Sequence, residues 1–501
     1  MLASIYTDKT QMRFSRYYLQ SALIFLIGTI LFLYVLIKAN YASFTHDESF
    51  TYLHYCHQSF MEIISFSDWY TNNHILNSLF MKYSEQVFGN SELALRLPNL
   101  LLLLVYMLYS YCLFKDKNIL FTIMIFLLLC TNYILMDLFG MARGYGMSCG
   151  FMVMSLYHFI EYLKNYKKTN LFLFHLGALL ASLSNFTLIT FYLASLLVYN
   201  LIMYLHSRLT IDKKFRFIQT NSIHIFPLLI VTIILYEPLR RFITYANLDF
   251  GGKNGFFADT VTQLIRNTFH SVNISPSIMF VLNITLILIL LISLFIIFKN
   301  AVQKRSTFFN QFQGLIVITF LMIIIPAIIV LQHLILRSDY PTGRFSIFLF
   351  PLLMIQFGFL MQYFMATGYR YVILIIISFA ALISLISFYK MSNLNTLVEW
   401  GYDSETKNMI QTLESTLRMN NDNSKTIKLG ISWNFEPTIN FYRETKGLKW
   451  LLPVDRKGIN KTDDYFYIYG NELGLLKNCE YDIIKEYKST NTLLIKNINR
   501  H

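Results

Sequence analysis

The sequence has little charge for its length, because only 14% of its 501 residues are Asp, Glu, Lys or Arg. Hydrophobic residues make up 55% and aromatic residues 17%, which is more apolar surface than a soluble chain needs. The bilayer is therefore the expected solvent for most of the chain. The net charge of +13 does not indicate a nucleic-acid partner, since Lys and Arg fall mainly in short connections between apolar runs.

Several familiar signals are also missing. The five cysteines show no spacing motif, and a disulfide between Cys56 and Cys479 is left open. No small-residue cleavage site follows the first apolar run, which predicts a retained span. The glycine-rich run Gly251–Gly255 lacks the spacing of a phosphate-binding loop, and a flexible lid is the favoured interpretation.

Long apolar runs predict a polytopic α-helical membrane protein. The runs are near the length that a hydrocarbon core of about 30 Å requires, and they predict about eleven transmembrane helices. They lie at 20–38, 97–114, 118–137, 145–162, 170–186, 188–205, 222–239, 277–298, 313–336, 345–366 and 371–389.

Basic residues predict the sidedness, because cytoplasmic connections are enriched in Lys and Arg. Every second connection is basic, which predicts a cytoplasmic N-terminus and an extracytoplasmic C-terminus. These residues are Lys9, Arg13, Arg16, Lys115, Lys117, Lys164, Lys167, Lys168, Arg208, Lys213, Lys214, Arg216, Lys299, Lys304, Arg305 and Arg370. A composition rich in Asn, Lys, Ile, Phe and Tyr favours a bacterial inner membrane.

The chain divides into two predicted domains, a membrane domain at 1–390 and a soluble extracytoplasmic α/β domain at 391–501. The membrane domain has two large outer loops, 40–96 and 240–276. The first of these carries two amphipathic stretches, 48–64 and 74–88, which suit helices at the membrane interface. The tail shows a helix pattern at 404–418, strand-like runs at 426–433, 449–454 and 464–469, and a hairpin pattern at 481–488 and 492–497.

Acids and arginines collect at the predicted outer ends of separate spans. Asp47 and Glu48 follow the first span, and ionisable groups near the bilayer are costly unless they have a function or a partner. Arg143 and Arg344 lie in later outer turns, as do His74 and Arg337; these turns could line one cavity.

Simple alternatives remain for several of these residues. Arg337 and Arg344 could extend from helix ends to the interface, and Arg143 could pair with Asp137. His46 is interpreted as an ordinary interfacial side chain. A divalent metal at the acid pair is left unassigned, because no further ligands occur at a recognisable spacing.

The order of these motifs resembles that of the GT-C glycosyltransferases, and more narrowly the branch of protein O-mannosyltransferases and aminoarabinose transferases. The acid pair is followed by a His-containing turn and by Gly89–Pro98, which is similar to the pattern G-(N/D)-S-E-x-A-x-R-L-P. The segments Met141–Gly146 and Gly343–Pro351 resemble two later elements of that branch. The sequence departs from it at His74-Ile75-Leu76, which lacks the branch's prolines.

The resemblance implies an enzyme that transfers a sugar from a polyprenyl-phosphate carrier to a lipid, glycan or protein acceptor. The leaving phosphate is already anionic, so one carboxylate acting as general base is sufficient. Asp47 is the expected base, with Glu48 as its support or in acceptor binding. Arg344 and Arg143 are expected to bind the carrier phosphate, followed by His74 and Arg337. No cofactor is expected.

A transporter or flippase for a lipid-linked or anionic substrate is the alternative class. Such proteins usually carry interrupted helices and ionisable groups in the middle of their spans. Here the acids lie at the outer ends of the spans, which favours an enzyme.

Overall fold

The computed structural model describes residues 2–68, 72–115, 117–209, 217–245, 251–269, 274–303, 306–419, 426–477 and 479–498. Within these residues the α-helices are α1 Leu2–Tyr41, α2 His46–Thr51, α3 Phe60–Ile64, α4 Ile75–Phe88, α5 Glu92–Cys112, α6 Ile119–Cys130, α7 Tyr133–Phe139, α8 Gly144–Asn165, α9 Lys168–Ser184, α10 Ile189–Leu209, α11 Phe217–Tyr245, α12 Thr262–Thr268, α13 Pro276–Val302, α14 Ser306–Gln311, α15 Gln313–Leu336, α16 Leu349–Ala366, α17 Arg370–Met391, α18 Thr406–Met419 and α19 Glu436–Thr445. The strands are β1 Gly251–Gly252, β2 Tyr340–Pro341, β3 Leu429–Ile431, β4 Tyr465–Tyr469, β5 Tyr481–Tyr487 and β6 Thr492–Asn497.

The chain is a multi-pass membrane protein. Eight helices in the described ranges are long and apolar enough to cross a membrane, and a bent pair, α6 with α7, makes a ninth. The expected number of about eleven also counts α8 and α9, which occupy the places of predicted spans 145–162 and 170–186. Helix α8 is buried among other helices along most of its length, and the 17 residues of α9 reach about 26 Å.

The predicted span 118–137 is not one straight helix, because α6 and α7 occupy its place and meet at a bend of 68°. The break has a local cause. The Thr131 hydroxyl donates to the Leu127 carbonyl at 2.7 Å, and the Asn132 side chain accepts the Leu135 N–H at 2.9 Å. Asn132 therefore caps a new helix, as its side chain commonly does. The bend places the following turn, which carries Arg143, at the end of the helices where the first loop lies.

The first loop forms short helical pieces rather than one long amphipathic helix at 48–64. Helix α2 continues as a π-helical turn, Tyr52–Cys56, and α3 follows. The second predicted stretch, 74–88, is confirmed as α4. The basic residues Lys213, Lys214, Arg216, Lys304 and Arg305 lie outside the described residues, as do parts of the second outer loop.

The Gly251–Gly255 run is a turn organised by an acid. The backbone N–H groups of Asn254 and Gly255 donate to the Asp259 carboxylate at 2.6 and 3.0 Å, so the amides that would hold a phosphate have a carboxylate partner. Residues Gly251 and Gly252 pair with Pro341 and Tyr340. The described part of this loop therefore packs beside the turn that carries Arg344.

The tail, residues 391–501, contains a four-stranded sheet with the order β3-β4-β6-β5. Strand β3 is parallel to β4, and β5 and β6 form the predicted antiparallel hairpin. The predicted helix at 404–418 is confirmed as α18, whereas the predicted strand at 449–454 is wrong. That segment makes one isolated bridge, Ile427 to Leu451, and Pro453 cannot donate a ladder hydrogen bond.

The tail packs directly onto the first loop. Phe44 stacks on Phe441 with ring centroids 4.2 Å apart, and the Tyr442 hydroxyl accepts the Phe44 N–H at 2.9 Å. Lys407 reaches Glu92, at the start of α5, with 2.9 Å between Nζ and Oε1. Cys56 and Cys479 are both free, and each belongs to a different hydrophobic cluster. The tail is thereby held over the turn that carries the acid pair.

Candidate active site

Asp47 lies in the first turn of α2, which begins at a capping box. The Thr45 side chain accepts the Glu48 N–H, and the Glu48 carboxylate accepts the Thr45 N–H at 3.0 Å, so the pattern Thr-x-x-Glu starts the helix. Asp47 Oδ2 lies 3.3 Å from Arg344 Nη2 and 3.7 Å from Arg143 Nη2. It has no hydrogen-bond partner among the described residues. The carboxylate is therefore held in a positive field with an acceptor position unused.

Glu48 has a different environment. Its side chain and that of Arg96 are completely buried and meet at 2.7 Å. The Glu48 carboxylate also accepts the Ala142 N–H at 2.6 Å, and the Arg96 guanidinium donates to the carbonyls of Ala39, Ala42 and Ser43. Both oxygens of Glu48 are thus used to join α1, α2, α5 and the turn before α8. These contacts favour support over acceptor binding.

Arg143 is buried beside Asp47 and is well supplied with acceptors. Its guanidinium donates to the Asn72 side-chain oxygen at 2.6 Å, to the Asn72 carbonyl at 3.0 Å and to the Thr51 hydroxyl at 2.9 Å. Simple pairing of Arg143 with Asp137 is not observed, because Asp137 pairs with Lys38 at 2.6 Å. Arg143 therefore fastens the first loop while adding positive charge near Asp47.

Arg344 is the more accessible of the two arginines, and it lies between two carboxylates. One is Asp47 and the other is Glu399, whose Oε2 is 3.2 Å from Nη1. The guanidinium lies 4.6 Å from the centroid of the Trp400 ring, and its Nε donates to the Tyr145 hydroxyl at 3.1 Å. About a quarter of the side chain, 26%, is exposed, so a small anion can reach it.

His74 joins this group, whereas Arg337 does not. His74 Nδ1 is 2.8 Å from the Ser184 carbonyl, and its ring lies 4.7 Å from that of Tyr145. A neutral ring that donates through Nδ1 presents Nε2 as an acceptor. Arg337 ends α15 in a left-handed conformation and is exposed. None of its contacts joins it to the other predicted site residues in the described part of the chain.

Sequence reasoning missed the contribution of the tail, where no catalytic constellation was expected. Glu399 and Trp400 contact Arg344, and the Asp403 carboxylate accepts the His46 N–H at 2.6 Å. His46 itself links the first loop to the tail, because Nδ1 lies 2.6 Å from the Asn434 carbonyl. The available signal was an acid beside an aromatic residue soon after the last span, the same kind of position that singled out Asp47.

Burial and the nearby arginines shift the pKa values of the group in different directions. Burial raises the pKa of Asp47, but the guanidinium groups of Arg143 and Arg344 outweigh it and hold that pKa below its usual range. Burial, and then Arg143, lower the pKa of His74 well below its usual range. Burial raises the pKa of Glu399, and it raises the pKa of Asp403 to about 8. At neutral pH Asp47 is therefore ionised, while His74 is neutral.

An apolar cavity of about 410 Å³ leads to this group. Its walls come mainly from α10, α11 and α15, with Leu193, Phe242 and Ile329 among them, and its polar end contains His74 and Tyr145. Tyr145 bonds Arg344, so the cavity ends beside the arginine. In the described residues no group of three or more His, Cys, Asp or Glu side chains is arranged to hold a metal ion.

A solved structure shares this architecture. The crystal structure of apo ArnT from Cupriavidus metallidurans superposes with a TM-score of 0.55 and 11% identity, over 95% of this chain and 97% of that one. The chain has the fold of ArnT. ArnT is an aminoarabinose transferase with a GT-C fold, so the fold expected from the motifs is confirmed.

The other comparisons gave one weaker structural match and no match to a family model or a curated protein. ArnT from Cupriavidus metallidurans bound to undecaprenyl phosphate superposes with a TM-score of 0.41 and 10% identity, over 96% of this chain and 98% of that one. No protein-family model matches the sequence, and no curated protein matches it either.

Proposed function

We propose that this chain is a membrane glycosyltransferase that moves a sugar from a polyprenyl-phosphate carrier to an acceptor hydroxyl. The observation that carries the proposal is the position of Asp47. Its carboxylate is 3.3 Å from Arg344, and Arg344 donates to Tyr145, which lines the polar end of an apolar cavity between helices. A carboxylate base, a cation and a site for a lipid chain are what this reaction requires. The ArnT fold agrees with it.

The cavity fits the carrier. Leu193, Ile243 and Ile335 line it and are also exposed on the lipid-facing side of the helices, which supports lateral access for a chain that stays in the bilayer. Its apolar walls suit an isoprenoid, and its polar end would hold the phosphate. We assign the phosphate first to Arg344, because Arg143 is buried and already bonded to Asn72 and Thr51.

The reaction is a substitution at the anomeric carbon of the donor sugar. The acceptor oxygen forms the new bond to that carbon while the bond to the carrier's phosphate oxygen breaks, and its electron pair leaves with the phosphate. Asp47 takes the proton of the acceptor hydroxyl through its unused acceptor position. Arg344 stabilises the charge that grows on the leaving phosphate, and its planar guanidinium can donate two parallel hydrogen bonds to phosphate oxygens.

The remaining predicted residues take supporting parts. Arg143 keeps the first loop in place and helps to hold Asp47 ionised. His74, being neutral, would orient a donor group by hydrogen bonding rather than neutralise the phosphate. Glu48 supports the backbone under Asp47. We propose no contact with the carrier phosphate for Arg337, which is exposed and apart from this group.

The reaction belongs on the extracytoplasmic face of an inner membrane, with the tail as a second domain on that face. This placement follows from the sidedness that Lys and Arg predict. The acceptor is a lipid, a glycan or a protein.

The test is a release assay with purified protein in lipid nanodiscs. The donors are pentoses and hexoses linked to polyprenyl phosphate and labelled in the sugar, and a membrane extract supplies the acceptor. The measured product is the polyprenyl phosphate that transfer releases. We expect Arg344→Gln to release it about 10²-fold more slowly than the wild type, and the matched control Arg337→Gln to behave as the wild type. Movement of intact donor across a vesicle membrane without release would overturn the proposal in favour of a flippase.

A further inference from the structure

An exposed tryptophan of the tail lies beside the candidate active site. Trp433 begins a short turn directly after β3 and is 57% exposed. Its neighbours are polar: Asn434 and Glu436 on the same turn, Arg456 from the following loop, and His46 from the first loop. We call these five residues the Trp433 patch.

Ion pairs and hydrogen bonds hold the patch together. The Arg456 guanidinium lies 5.6 Å from the centroid of the Trp433 ring, and its Nε is 3.2 Å from Glu436 Oε2. Arg456 Nη2 is 3.3 Å from His46 Nε2, and the His46 ring approaches Trp433 edge-on with centroids 6.2 Å apart. The guanidinium thus lies over the indole, and Trp433 is nevertheless more than half exposed.

The patch is fixed to the turn that carries Asp47. His46 directly precedes Asp47, so their Cα atoms are about 3.8 Å apart. Both the backbone N–H and the ring of His46 are bonded to the tail, at 2.6 Å to Asp403 and 2.6 Å to Asn434. A molecule that rests on Trp433 therefore lies on a surface that His46 joins to the turn carrying Asp47.

The residue types indicate what rests there. An exposed indole attracts the C–H face of a ring, and the guanidinium and carboxylate groups beside it can bond hydroxyl groups. Arg456 and Glu436 neutralise each other, which favours a neutral ligand. Contact with lipid tails is disfavoured, because the charged side chains at the rim of the indole would have to leave water.

We infer that the Trp433 patch binds a saccharide ring of the acceptor, so that the acceptor is a glycan or a molecule that carries one. The naming of this ligand as the acceptor rests on the proposed function. Binding of a saccharide at the patch is a separate property, and it can be measured without turnover.

Saturation-transfer NMR on the full chain in nanodiscs tests the binding. Sugar-based detergents are left out, because they would compete. The probes are maltotriose and chitotriose. Each is offered in two forms, free in solution and as an alkyl glycoside in the nanodisc. Tighter binding of the free sugar indicates a soluble acceptor, and tighter binding of the alkyl glycoside indicates a lipid-linked one. We expect saturation of the sugar C–H protons in the wild type and an affinity about tenfold lower in Trp433→Ala. The affinity should recover in Trp433→Phe. It should be unchanged in Ile483→Ala, because Ile483 is an exposed apolar residue of the tail outside the patch.

Three results would overturn the inference. The first is that neither trisaccharide shows saturation in either arm, and the second is that Trp433→Ala binds sugar unchanged. The third is that brominated lipid quenches the protein fluorescence less in Trp433→Phe than in the wild type, which would place the indole in the membrane.

If the chain binds sugar but transfers none, the inferred sugar binding stands and the proposed function fails. If the chain transfers sugar, we expect Trp433→Ala to raise the KM for the acceptor about tenfold with little effect on kcat. A lower kcat with an unchanged KM would contradict acceptor binding.

Discussion

Arg344 is the residue on which the electrostatics of the site depend. Two carboxylates share it, Asp47 at 3.3 Å and Glu399 at 3.2 Å. A carrier phosphate would have to take over part of this coordination. Burial raises the pKa of Glu399, so Glu399 is the carboxyl group of the two that takes up a proton more readily when Arg344 turns to a phosphate. Asp47 keeps the field of Arg143 and stays ionised.

The pH dependence of transfer should report this arrangement. The active form of Asp47 is the carboxylate, and the two arginines lower its pKa, so kcat/KM should stay constant as the pH falls to the ordinary aspartate value of about 3.9 and decline only below it. Removing one cation raises that pKa. We therefore expect the acidic limb of the residual activity of Arg344→Gln to lie at higher pH than that of the wild type, as measured by pH–rate profiles.

The control for this profile is Arg337→Gln, which removes an exposed arginine outside the group and should leave the acidic limb in place. An acidic limb that is the same in wild type and Arg344→Gln would show that Asp47 does not titrate under the influence of Arg344.

At this scale the sequence identified the charged residues whose helix ends point the same way, namely Asp47, Arg143, Arg344 and His74. The residues alone could not assign different roles to Asp47 and Glu48, because both follow the same span. Only the packing of the folded chain shows that Glu48 pairs with Arg96. The sequence also did not indicate which charged residue of the membrane domain the tail would contact, so the ion pair of Glu399 with Arg344 was not predicted.

At the scale of elements, α2 depends on the buried pair of Glu48 and Arg96. This pair joins α2 to α5, and the carbonyls of Ala39, Ala42 and Ser43 complete the shell of Arg96. Helix propensity alone does not stabilise this part of the first loop, since α2 has only six residues. It is held by a charge pair that no solvent reaches.

Breaking the pair should unfold the loop rather than only slow the chemistry. Glu48→Gln leaves a buried guanidinium without its counter-ion, and such changes cost about 3–5 kcal/mol. We expect a clear fall in the melting temperature of the nanodisc-embedded protein, followed by tryptophan fluorescence, while Asp47→Asn melts close to the wild type. If Glu48→Gln instead melts normally and is inactive, Glu48 has a chemical role.

Element boundaries were predictable where apolarity alone decides them, as in α13, α15 and α17. They failed where side chains compete for the backbone. Asn132 starts a new helix inside an apolar run, and its capping bond outweighs the continuity of the hydrophobic pattern. In the tail, the pairing of β4 with β3 and β6 depends on contacts distant in sequence, which local patterns do not contain.

At the scale of the whole molecule, the tail and the site form one surface. Phe441 stacks on Phe44, Lys407 pairs with Glu92, and Glu399 reaches Arg344. The side of the membrane on which the tail lies is therefore also the side on which Asp47 lies.

Reporter fusions should establish that side. Alkaline phosphatase fused after Asn395 is expected to be active, because the tail is predicted to be outside, whereas a fusion after Lys167 is expected to be inactive. Enzyme activity in cells, corrected for the amount of each fusion, is the measurement. A stable but inactive fusion after Asn395 would reverse the sidedness of both tail and site.

The most direct test of the central claim is the transfer rate of Asp47→Asn. The amide keeps the size of the carboxylate but cannot take a proton, so transfer from a polyprenyl-phosphate sugar should fall by about 10²–10⁴-fold. Binding of the carrier, measured by native mass spectrometry, should persist, and the melting temperature should stay near that of the wild type. Transfer by a folded Asp47→Asn protein at close to the wild-type rate would contradict the account.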